Sequence, residues 1–297
     1  MFKRNKNKVK DRDSQIFNFV NITLLCLFAA IIVLPVWNIF ISSFATGSDL
    51  ANGFGLFPQH LTIQNYVQVL NDSTLWQAFG ISVAKTVVGT VTHVTFTAIV
   101  AFPMARYALR GRKIMTGLGI FTMMFSGGMI PLFLLIKGLG MLNSFWVYII
   151  PAMFSYFDMI IIMNFFRNLP VSLEESARID GASDWTVFWR IYLPLSRPAL
   201  AVIGLWTAVG QWNDFFTALL YINNSKLYPL QMRIYNIIEQ NQLQQSKGYN
   251  PLMSQIVSSQ GIQLATIVIT ALPMIIAYPF LQKYFVEGGL TLGAVKE

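Results

Sequence analysis

Two stretches of this sequence place hydrogen-bonding and ionisable side chains where apolar residues otherwise prevail. The first, EESARIDGASDWTVFWRIYLPLSRPAL from Glu174 to Leu200, sets Glu174, Glu175, Asp180 and Asp184 against Arg178, Arg190 and Arg197. Such a mixture suits charge-guided docking on another protein. A helix lying on anionic lipid, the other reading, usually carries Lys or Arg all along its polar face. Ala177, Gly181 and Ala182 offer little or no side chain, so a partner's surface can approach the backbone while Glu175, Arg178 and Asp180 orient it. The second stretch holds Trp206, Gln211, Trp212, Asn213 and Asp214. Aromatic faces beside hydrogen-bonding groups are what a sugar ring requires. The same residues could equally join helices, with Asn213 and Asp214 bonded to neighbouring spans and both tryptophans at a membrane interface. His93 fits a satisfied buried histidine better than a substrate ligand.

Other chemistries find no residues to perform them. No GxxxxGK[ST] phosphate loop occurs, so the cradle for ATP phosphates is missing. The histidines are His60 and His93 and the single cysteine is Cys26, which excludes an HExxH site, a His/Cys metal set and an intramolecular disulfide. No serine-nucleophile elbow is present. Ion-driven transport, the alternative energy source, needs ionisable groups at mid-membrane. Lys85, Asp158 and Asp214 fall near span edges or upper halves and His93 alone near a centre, a thin set for an ion relay in a carrier or channel.

The elements that must hold these residues are membrane helices. Of the 297 residues 55% are hydrophobic and 11% charged, with a mean hydropathy of +0.54; soluble domains carry about 25% charged residues. Six segments are apolar enough to span a bilayer: 17–41, 79–105, 114–136, 146–166, 199–221 and 263–283. The expected fold is an all-α polytopic membrane protein: a basic tail, 1–16, then one transmembrane domain, 17–297. The first apolar run is too long for a cleavable leader, so it is read as an uncleaved span.

The basic residues set the orientation. With the N-terminus inside, the cytoplasmic side holds Lys3, Arg4, Lys6, Lys8, Lys10 and Arg12 of the tail. It also holds Arg106, Arg110, Arg112 and Lys113 after span two, Arg167, Arg178, Arg190 and Arg197 after span four, and Lys283 and Lys296 at the end. Both termini and loop 170–198 are therefore cytoplasmic, and this distribution, not nucleic acid, accounts for the net charge of +8. Lys85, Lys137, Lys226, Arg233 and Lys247 fall outside. The outer segments 42–78 and 222–262 carry packing residues such as Leu56, Phe57, Tyr66, Leu230 and Tyr235, and either meet an external partner or cap the bundle.

Within the loop, Pro170 ends span four and Ser172 with Glu175 forms a capping box that starts a helix at Leu173. Gly181 stops it, its freedom at positive φ suiting a helix C-terminus. Ser183 or Asp184 starts a second helix, in which Trp185, Phe188, Trp189 and Tyr192 recur at i, i+3, i+4 and i+7 to grip the protein's own transmembrane ends. Pro194 breaks this helix and Pro198 opens span five. Gly127, Gly128 and Pro131 break span three, either as a bending point or as a static kink.

Glu175-Ser176-Ala177, Asp180-Gly181-Ala182, Phe188, Ile191, Leu193-Pro194 and Pro198 resemble the EAA loop of ABC-importer permeases, with Ser176 in place of the second alanine. Pro58, Leu61-Thr62, Asn65-Tyr66, Gly127-Gly128-Met129-Ile130-Pro131, Trp212-Asn213-Asp214 and the tail Gly288 to Lys296 are similar to the maltose-type, carbohydrate-uptake branch, and within it to the second permease of oligosaccharide or polysaccharide importers. The resemblance implies six spans of the type I ABC-importer permease fold, in a bacterial cytoplasmic membrane. It implies a second, different permease subunit, two copies of an ABC ATPase holding ATP and Mg, an extracytoplasmic solute-binding protein and a glycan substrate. No cofactor belongs to this chain. By the same resemblance Glu175, Ser176, Ala177, Asp180, Gly181, Ala182, Ile191 and Pro194 couple to the ATPase, whose closure would tilt the attached spans. Trp206, Gln211, Trp212 and Asn213 are the candidate substrate pathway.

Overall fold

A computed structural model describes residues 12–51, 57–106, 109–246 and 258–293, all helical or irregular apart from one isolated antiparallel bridge, Ala45 to Leu61. Lys3, Arg4, Lys6, Lys8 and Lys10 of the tail, Leu56, Lys247 and the last residues of the Gly288–Lys296 segment lie outside the described residues. The chain divides into two units, 1–69 with 244–268 and 70–243 with 269–297.

The first unit contains α1 (Arg12–Ser42), α2 (Gly47–Ala51) and most of α3 (Gln64–Asn71). From Gln15 to Ser42, α1 is long and apolar enough to cross a membrane, and it is oily on every side, as a span facing lipid must be. Asn65 is fully buried, and its Nδ2 donates to the carbonyls of Ser43 and Ala45, both at 3.0 Å. Ser43 Oγ and the Tyr66 hydroxyl share a 2.6 Å hydrogen bond. The Asn-Tyr pair thus ties the residues after α1 to the start of α3, by satisfying carbonyls that would otherwise be buried alone.

The second unit is built on α4 (Ser73–Ala105), whose N-terminus is capped by Asp72 accepting from Thr74 N at 2.8 Å. Its 33 residues make it about 50 Å long. It packs against α7 (Tyr156–Arg167) and α11 (Arg197–Asn213), around a core that includes Ala98, Ala101, Phe102, Met159, Ile162, Phe166 and Ile203. Gly204 of α11 faces Val94 and Thr90 of α4, where even an added Cβ would meet them only at ordinary van der Waals distance. The α13 helix (Leu230–Ser246) and the long α14 helix (Ser259–Gly293) complete the chain.

Among the described residues, three helices, from Gln15, Ser73 and Ser259, are each long and apolar enough to span a bilayer, and two bent pairs raise the number to as many as five. Several expected spans are interrupted. Segment 114–136 is α5 (Arg112–Met124) and α6 (Met129–Gly138), bent by 111° at a break where Gly128 has φ +87°. Segment 146–166 is not one helix: a 3-10 turn (Phe145–Tyr148) gives way to irregular chain, and α7 starts only at Tyr156, capped by Ser155. Pro151 has no N–H to continue a helix there. Segment 199–221 is α11 and α12 (Phe216–Tyr221), parted after Asn213.

Candidate functional site

The loop after α7 folds into two helical pieces whose limits differ from the sequence reading. Helix α8 (Val171–Ile179) begins two residues earlier than expected, with Pro170 as N-cap and no side-chain cap. Ser172 therefore lies inside the first turn, where it cannot act as the capping box: Pro170, lacking an N–H and fixed in φ, already sets the start. Gly181 terminates the piece at φ +80°. Ser183 caps α9 (Asp184–Val187), its Oγ accepting from Thr186 N at 3.3 Å. Pro194 does not break the helix. The chain widens into a π-helical turn (Phe188–Tyr192), continues as α10 (Leu193–Leu195) and turns only at Ser196, with a 78° bend into α11. A proline cannot supply an i→i−4 bond, and the wider turn, with Leu193 N donating to Phe188 O, absorbs that defect.

Half of the expected aromatic face turns inward. Phe188 and Tyr192 are buried and pack with Phe102 at centroid distances of 5.2 and 4.9 Å, and Tyr192 meets Phe166 edge-on at 5.3 Å. Trp185 and Trp189 are exposed. Among the residues singled out for docking, Glu175, Ser176, Asp180 and Gly181 are exposed, whereas Ala177, Ala182 and Ile191 pack partly against the protein's own core.

Four charges close on one another beside this surface, Arg106 and Glu174 half-buried and Arg178 and Asp184 exposed. Arg106, just past α4, lies 3.1 Å from Glu174 and 3.0 Å from Asp184. Arg178 reaches Glu174 at 3.0 Å and Asp184 at 2.6 Å. The Tyr192 hydroxyl donates to the second Glu174 oxygen at 2.7 Å, and the Arg106 guanidinium sits 4.2 Å above the Phe102 ring. Asp184 is held below the usual carboxylate range, first by its hydrogen bond from Arg106. The sequence offers Arg106, Glu174 and Asp184 only as separate charges and does not foretell that they pair. A local signal existed only for Glu174 and Arg178, which are spaced i, i+4 on one helix face.

A cavity of about 640 Å³ lies between α4, α6, α7, α11 and α12. Two ion pairs border it: His93 Nε2 is 2.9 Å from Asp158, and Lys85 Nζ is 2.9 Å from Asp214. His93 Nδ1 also meets the Ala152 carbonyl at 2.7 Å, which makes His93 the satisfied buried histidine expected. Lys85, expected at an outer span edge, is instead fully buried within α4, because the carboxylate and carbonyl of Asp214 compensate its charge. Of the candidate pathway residues, Trp206 and Gln211 line the cavity. Gln211 Nε2 donates to Tyr148 O at 3.1 Å, while its Oε1 is buried without a hydrogen-bond partner. Trp212 is buried elsewhere, donating to Thr270 O at 3.2 Å, and so is not at a lipid interface. Asn213 is exposed and bonds back to Val209 O at 3.0 Å within its own helix.

Comparison with known proteins agrees with this architecture. Residues 7–288 match the family described as binding-protein-dependent transport system inner membrane component, and the chain belongs to that family. It is 45% identical to Protein LplC of Bacillus subtilis over 95% of both chains. It is 39% identical to the polygalacturonan/rhamnogalacturonan transport system permease protein YtcP of the same species, over 95% of this chain and 99% of that one. A chain in the crystal structure of a bacterial ABC transporter involved in the import of the acidic polysaccharide alginate superposes with a TM-score of 0.86 at 33% identity, covering 93% of this chain and 98% of that one. The protein is thus a permease of the ABC-importer type, a transport subunit with the type I permease fold.

Proposed function

We propose that this permease forms half of the translocation pathway of an ATP-driven importer for an oligosaccharide or larger glycan, in a bacterial cytoplasmic membrane. In this reading the chain crosses the membrane six times with both termini inside, the interrupted segments 114–136, 146–166 and 199–221 each making one crossing. A second, different permease supplies the other half, and an extracytoplasmic binding protein delivers the glycan. Two ABC ATPase subunits carry ATP and Mg and seat the knob formed by α8 and α9, with Glu175, Ser176, Asp180 and Gly181 at the contact. Ala177, Ala182, Ile191 and Pro194 support that knob from behind. The glycan passes the cavity bordered by Trp206 and Gln211, where an aromatic face and a buried amide suit stacking and hydroxyl bonding. Away from the cavity, Trp212 holds α11 in place through its bond to Thr270, and Asn213 bonds only within its own helix.

The observation that carries the proposal is the exposed pair of short helices with Gly181 at its turn, attached by ion pairs to the same long helix, α4, that borders the cavity. The glycan cargo draws support from the named substrates of the relatives. The test is reconstitution with the partner permease, ATPase and binding protein. Glycan uptake that requires ATP and all four components is expected; flux through this chain alone without ATP would overturn the reading.

A further inference from the structure

Helix α8 buries no residue fully, and α9 buries only Val187. Apolar packing therefore holds the front of the loop weakly, and its attachment falls to the cluster of Arg106, Glu174, Arg178, Asp184 and Tyr192. Within that cluster Glu174 receives Arg106 and Arg178 on one oxygen and Tyr192 on the other. Arg106 forks between Glu174 on α8 and Asp184 on α9, and it alone of the charged members belongs to the end of α4, as its C-cap. Its side chain is only 22% exposed and that of Glu174 16%, so water and salt screen this pair less than a surface ion pair. The two guanidiniums and two carboxylates neutralise one another, which leaves Glu175 and Asp180 as the charges α8 and its C-cap present outward.

We infer that Arg106 is a positioning residue that locks the α8–α9 knob to α4, so that displacement of the knob is delivered to the cavity. The inference rests on the coupling role proposed above. Helix α4 carries His93 and Lys85, which lie about 20 Å and 30 Å along its axis from Arg106. Those residues pin α4 to Asp158 of α7 and to Asp214 at the α11–α12 break, both bordering the cavity. From Lys85 through His93 to its last turn, which contains Pro103, α4 is one continuous helix, so a shift imposed at Arg106 is carried along it toward both ion pairs. Lysine cannot replace the arginine in full, because a single ammonium lacks the planar fork that spans two carboxylates.

The experiment uses the assembled importer in proteoliposomes and reads glycan moved per ATP hydrolysed, alongside the ATPase retained on purification. Arg106→Ala is expected to keep its ATPase and to hydrolyse ATP, while the transport ratio falls about tenfold. Arg106→Lys should fall about threefold. Tyr192→Phe removes one hydroxyl and leaves the ring between Phe102 and Phe166, so it tests the cluster without disturbing the fold; about a twofold loss is expected. Wild-type ratios in Arg106→Ala or Arg106→Lys together with Tyr192→Phe would overturn the inference. Loss of the ATPase from Arg106→Ala would also overturn it, by making the cluster part of the docking surface. If the wild-type chain retains no ATPase, the coupling role itself fails, and that result is distinguishable from the others.

Discussion

The ammonium of Lys85, fully buried in α4, lies 2.9 Å from the carboxylate of Asp214, whose side chain is 25% exposed to the cavity. The pair is asymmetric: water reaches the anion and not the cation. Asp214→Ala therefore leaves the buried ammonium only the residue's own backbone carbonyl and the Tyr148 ring, and should destabilise the protein by about 3 kcal/mol. Lys85→Met, which leaves a partly hydrated carboxylate, should cost less. Thermal unfolding of the detergent-purified chain ranks the two variants.

Gly119 of α5 lies directly beneath the Tyr156 ring of α7, whose hydroxyl donates to Thr116 O at 3.3 Å. Gly119→Ala forces a methyl into the ring and should cost about 1–3 kcal/mol. Gly117, two positions earlier, has open space around it. Gly117→Ala should stabilise α5 by up to about 1 kcal/mol through helix propensity. The same unfolding measurement checks both.

Gly181 adopts φ +80° with nothing within 4 Å of an added Cβ, so substitution there acts through the backbone and not through a clash. Gly181→Asp should strain the turn by about 1 kcal/mol and add a charge to the outward face, while Glu175→Lys reverses a charge there. Both should insert normally into the membrane and retain less ATPase on purification, or hydrolyse ATP without transport. Wild-type behaviour in both would count against the docking face.

Trp206 borders the cavity and Asn213 does not. Trp206→Ala should lower glycan uptake about two- to tenfold through lost stacking while ATPase retention is unchanged. Asn213→Ala should leave uptake at the wild-type level. Uptake assays on both variants, normalised to complex content, decide between them.

Asp184 titrates below the usual carboxylate range because Arg106 hydrogen-bonds it and attracts its charged form. A depressed carboxylate stabilises above its unfolded pKa, and that stabilisation disappears as pH falls through the lower folded value. The Arg106 cluster should therefore hold unchanged between about pH 5 and 8 and weaken only below about pH 4. The transport ratio of wild type relative to Arg106→Ala, followed across this range, should stay flat.

Much of the loop was legible because its signals are local. Gly181 at its turn, Ser183 as a cap and the breaks near Gly128 each depend on φ freedom or a hydrogen bond within one turn of chain. Local reading failed where two such signals compete. Ser172 and Glu175 spell a capping box, yet Pro170 starts the helix first. Pro194 spells a stop, yet a π turn absorbs it. In the second tryptophan pair, periodicity gives only a separation: Trp206 and Trp212 are six positions apart, about 120° around the helix. When Trp206 meets the cavity, Trp212 turns to Phe79 and Thr270. The phase of the helix was not in the spacing.

The sequence by itself determined an oily helical membrane chain and the position of its polar elbow, because hydropathy, glycine and proline act on the residues beside them. Tertiary structure alone decided which charges meet. Lys85 and Asp214 stand 129 positions apart, and no periodicity relates Arg106 to Glu174 or Asp184. A buried charge needs a partner, but only the packing of α4 against α7 and α11 determines which one comes within 3 Å.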